Sequence, residues 1–133
     1  MSSADFPTAT AMRECLSGHC GNAATFYLGR TALAYLGLRL VGAKHPVRKA
    51  FAASTAVQAF VLAWVAAGSA ELPSGIAALD GDPRALLYTY LGRSAIAGSG
   101  IYLADPANKH LIRDSLAAIA PVEVAVLAWA RGG

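Results

Sequence analysis

The chain repeats itself, and that repetition limits its fold more than any other feature. Tyr27-Leu28-Gly29-Arg30 recurs as Tyr90-Leu91-Gly92-Arg93, an offset of 63. Over 27–41 against 90–104, eight of fifteen positions are identical. After a two-residue insertion the offset becomes 65, and ten of twenty-one positions match between 44–64 and 109–129. Lys44, His45, Arg48 and Val61-Leu62-Ala63-Trp64 recur as Lys109, His110, Arg113 and Val126-Leu127-Ala128-Trp129. Composition bias produces matched alanines, but not matched Tyr, Arg, His, Lys and Trp. Repeats of this kind copy one supersecondary unit.

Each unit holds two apolar stretches joined by a short basic loop. The four stretches are 23–42, 49–68, 84–104 and 111–130. Each is close to the roughly 20 residues that span a hydrocarbon core. The chain is 56% hydrophobic and only 14% charged, against about 25% charged in soluble domains. The expected fold class is therefore an all-α membrane protein, with four transmembrane helices made by tandem duplication of a two-helix hairpin. An even number of spans per unit gives both copies one orientation, related by a pseudo-twofold axis along the membrane normal. The expected divisions are a polar N-terminal tail (1–22), a first repeat (23–68), an extracytoplasmic connector (69–84) and a second repeat (85–133).

Charge sets the expected topology. Loop 43–49 holds Lys44, Arg48 and Lys49, and loop 105–113 holds Lys109 and Arg113. The connector sets Arg84 against Glu71, Asp80 and Asp82. Basic loops stay in the cytoplasm, so a multi-pass chain has both termini and the connector outside. Residues 1–22 lack an apolar core of signal-peptide length. The net charge of +3 comes without a basic run interleaved with aromatics, so nucleic acid is not an expected partner. The expected partners are the lipid bilayer, other membrane subunits or a second copy.

Candidate functional residues are the polar groups inside the apolar stretches. Arg30 and Arg93 are repeat-equivalent, and so are Gln58 and Glu123. Arg93 and Glu123 fall at similar depth, and an unpaired charge there is costly. Two readings stay open. In one, Arg–Gln and Arg–Glu contacts simply hold each hairpin together. In the other, Glu123 with nearby arginines is a site for a proton, an ion or an anion. His45 and His110 lie in basic loops without a ligand set around them, and no metal site or cofactor is expected. Cys15 and Cys20 fit no zinc or redox spacing; in an oxidising compartment they pair as a local disulfide. No phosphate loop, nucleophile elbow or Ser/His/Asp arrangement appears. The leading expectation is a non-enzymatic helix-packing module. Behind it stand a small transporter or channel component built on Arg30, Gln58, Arg93 and Glu123, and then an enzyme acting on a lipid.

Overall fold

The computed structural model describes residues 7–67 and 83–132. Those residues are all-helical, with no strand among them. In chain order the helices are α1 (Pro7–Leu16), α2 (Gly21–Leu40), α3 (Pro46–Ala66), α4 (Pro83–Ala104) and α5 (Leu111–Gly132). The last four fall on the four apolar stretches. Most of the 69–84 connector lies outside the described residues.

Helix α1 lies within the segment expected to be a polar tail. It packs on α2 and α3, and Ala11 is buried against the main core. Proline at its first position suits helix initiation, where no N–H is needed. It ends in a Schellman turn. Gly18 adopts a positive φ of 94°, His19 N donates to Glu14 O at 2.9 Å and Gly18 N to Cys15 O at 3.0 Å. A Cys15–Cys20 disulfide spans that turn. α2 ends in the same way: Gly42 has φ 70°, and Ala43 N reaches Leu38 O at 3.0 Å. The chain therefore reverses within a few residues and enters α3 at Pro46.

Helices α2 to α5 form a ring. α2 and α4 each pack on both α3 and α5; α3 and α5 touch slightly across the centre, and α2 and α4 do not meet among the described residues. The buried apolar residues of α3 (Ala50, Ala53, Val57, Val61, Val65) recur at helical spacing. Most core residues are small, which lets helix backbones approach closely. The closest approaches come at two glycines. A Cβ on Gly37 would overlap the Ala117 carbonyl and press on Pro121. A Cβ on Gly100 would overlap the Ala52 carbonyl and Ala56 Cβ. The offsets of 63 and 65 map Gly37 onto Gly100, Ala52 onto Ala117 and Ala56 onto Pro121.

α3 alone among the described helices is long and apolar enough to cross a membrane by length and composition, and 33% of its most apolar window is buried. α5 runs unbroken through Pro121.

Candidate functional site

Two polar pairs sit inside the ring. Arg30 projects from α2 and donates from Nη1 to Gln58 Oε1 on α3 at 2.5 Å. Gln58 Nε2 in turn donates to the Ala23 carbonyl at 3.3 Å. On the other side, Arg93 of α4 donates from Nη1 to Glu123 Oε1 on α5. The repeat aligns the two arginines with each other, and it aligns their two acceptors as well. Arg30 also lies within electrostatic reach of Arg93, so both pairs belong to one charged region. Tyr90, one turn before Arg93, donates to the Leu116 carbonyl at 2.7 Å and lies within electrostatic reach of Glu123.

The pairs differ in one respect. Gln58 uses both ends of its amide. Glu123 uses one oxygen, and its Oε2 is buried without a hydrogen-bond partner. A buried carboxylate oxygen left unpaired is expensive, and each such atom calls for a physical explanation.

A pocket of about 190 Å³ opens between α3 and α4 beside this region. Phe60, Val61, Trp64, Tyr88, Gly92 and Arg93 line it. Phe60 and Trp64 stack at a tilt with ring centroids 5.7 Å apart. Gly92 faces open space: a Cβ there would meet nothing within 4 Å. One wall of the pocket is thus the arginine that holds Glu123, and much of the rest is aromatic.

A third polar group departs from the sequence expectation. Lys49 and Arg113, expected in solvated basic loops, both lie in helices. Lys49 is 1% exposed and Asp114 fully buried. Lys49 Nζ donates to Asp114 Oδ2 at 2.8 Å, and Asp105 Oδ2 lies 3.9 Å from the same ammonium. Asn108 Nδ2 reaches Asp114 Oδ2 at 2.8 Å. Arg113 donates to Asp114 Oδ1 from Nε at 3.1 Å and from a second nitrogen at 3.0 Å. Both Asp114 oxygens are satisfied, so this is a clasp at the loop end of the ring rather than an open site. The offset of 65 aligns Lys49 with Asp114, so the two partners occupy one position of the repeat. That alignment was the signal available in the sequence; proximity to a basic loop hid it.

His45 and His110 are exposed at the two turns. His45 holds a left-handed conformation, φ 51°, just before Pro46. Among the described residues no three His, Cys, Asp or Glu side chains gather where a metal would bind.

Fold and site together define a class: an all-helical ring with charged pairs turned inward. Comparison with known protein families, curated proteins and solved structures finds no match to this chain.

Proposed function

We propose that the chain is a four-span membrane module, made by parallel duplication of a helical hairpin, that packs against partner membrane subunits or a second copy of itself without catalysing a reaction. One observation carries this reading: large apolar side chains face outward from the ring while charged groups are buried within it. Leu103 is 79% exposed, and Leu40 and Ile112 are each 77% exposed, while Lys49, Asp114 and Glu123 are buried. Water would penalise such a surface; lipid favours it, and lipid requires that intramembrane charges face inward and pair. α3 fits a span on composition alone. In the other three long helices Arg30, Arg93 and Glu123 are taken up in inward pairs, away from lipid. The matched glycine contacts and the two arginine pairs support the duplication. Gly29 and Gly92 face open space, which leaves flat places for another helix.

The experiment is membrane extraction. The tagged chain should stay in the membrane fraction through an alkaline carbonate wash. After mild detergent extraction it should run as a complex larger than one chain. Release by carbonate contradicts the membrane reading; a strictly monomeric, partner-free species contradicts the assembly role.

A second reading, a small transporter component, is favoured by the unpartnered Glu123 Oε2 beside an arginine-walled pocket. Its site would comprise Arg30, Gln58, Arg93 and Glu123.

A further inference from the structure

We propose that the pocket between α3 and α4 binds a small lipophilic carboxylate on Arg93, and that binding is coupled to uptake of one proton by Glu123. The inference rests on the second reading above and deepens it.

The chemistry of the pocket selects the ligand. Phe60, Trp64 and Tyr88 offer an apolar, aromatic cavity, and Arg93 supplies a cation at its wall. Guanidinium binds carboxylate through parallel hydrogen bonds. The volume lies below the roughly 300–1,000 Å³ of sites for drug-sized molecules. A single-ring or short-chain acid therefore suits it.

The proton follows from charge and from the repeat. Arg30, Arg93 and an ionised Glu123 carry a net charge of +1. In the proposed exchange an anion takes the place of the Glu123 carboxylate on Arg93, and that carboxylate is left buried without this cation. Protonation removes that cost. One anion and one proton enter together, and the net charge of the region stays at +1. The proton has a place to go: Glu123 Oε2 is buried and unpartnered. The chain also holds a template for the neutral form. Gln58, which the repeat aligns with Glu123, is a neutral acceptor for Arg30 and donates to the Ala23 carbonyl. The offset of 63 gives the backbone carbonyl of Leu86 as the counterpart. A protonated Glu123 can donate from Oε2 as Gln58 donates from Nε2. Arg93 from α4 holds Glu123, Tyr90 of the same helix lies within electrostatic reach of it, and Arg30 from α2 lies within electrostatic reach of Arg93. Gln58 of α3 is neutral. No redox step is involved: the Arg93–Glu123 ion pair breaks, Glu123 takes a proton from solvent to form an O–H bond, and an Arg93–ligand ion pair forms.

The test uses benzoate and the purified full chain in detergent. Titration calorimetry in buffers of different ionisation enthalpy counts protons per bound ligand. Wild type should bind benzoate with Kd below about 1 mM, taking up close to one proton. Glu123→Gln should still bind, with no proton uptake. Gly92→Leu fills the pocket where the structure has open space, and it leaves the Arg93–Glu123 pair untouched. It should weaken binding at least tenfold while the protein unfolds at the wild-type temperature. No benzoate binding by wild type, binding without proton uptake, or equal binding by Gly92→Leu would each overturn the proposal. A chain that binds benzoate as described but leaves the membrane under carbonate would keep the pocket and remove the transport reading.

Discussion

Exchanging the two halves of the Lys49–Asp114 clasp probes the ring at the position where its repeats meet. Each partner is almost wholly buried, and breaking a buried ion pair by removing one partner costs about 3–5 kcal/mol. Lys49→Asp places a carboxylate against Asp114 and near Asp105. Asp114→Lys places an ammonium against Lys49 and takes the acceptor from Asn108 and Arg113. Each single reversal should therefore cost at least that amount. For domains near this size, the midpoint then falls by roughly 2–8 °C per kcal/mol. The double exchange restores an opposite-charge pair at the same two positions. Arg48, which the repeat aligns with Arg113, then precedes the carboxylate introduced at position 49 as Arg113 precedes Asp114. Asp105, 3.9 Å from the Lys49 ammonium, opposes the new carboxylate, so recovery should be partial. We expect the double variant to regain at least about 2 kcal/mol over the sum of the singles, a coupling within the range of contacting residues. The assay is thermal unfolding of purified protein in one detergent, followed by helical circular dichroism. A double variant that costs as much as the two singles added together would refute the reasoning, as would single reversals costing under about 0.5 kcal/mol.

The remaining expectations concern the glycine contacts and the arginine pairs. Gly37→Ala and Gly100→Ala should each cost about 1–3 kcal/mol by overpacking, and by similar amounts. Gly29→Ala and Gly92→Ala, which face open space, should be neutral or gain up to about 1 kcal/mol from helix propensity; thermal unfolding separates the two sets. Glu123→Gln should cost under about 1 kcal/mol, because the Arg30–Gln58 pair already works with an amide, whereas Arg93→Ala should approach the roughly 3–5 kcal/mol of a broken buried pair. The same unfolding assay, with equal loss in both variants as the contrary result, decides that comparison.

The four long helices were legible because apolar residues run nearly unbroken for about 20 positions, and a repeat lends the strong stretches' status to the weak ones. The partners within each arginine pair were legible for a related reason: the alignment sets Arg30 beside Arg93 and Gln58 beside Glu123. What those pairs do was not legible, since pairing satisfies a structural clamp and a binding site alike. The Lys49–Asp114 clasp was hidden because charges close to a turn ordinarily belong to solvent. The structure instead begins α3 at Pro46 and turns Lys49 inward, where Asp114 compensates it. α1 was hidden because its ten residues lack a long apolar run. Pro7 and Gly18, at its two ends, were the local signals for it.

The central claim is that the chain crosses the membrane four times, with its basic turns on one side and its connector on the other. Cysteine labelling measures this directly. With Cys15 and Cys20 replaced by serine, single cysteines at Ser74 and Ala107 are exposed to an impermeant thiol reagent in intact cells. The cysteine at position 74 should react at once and that at position 107 only after permeabilisation. Reaction of both from the same side would contradict the four-span account.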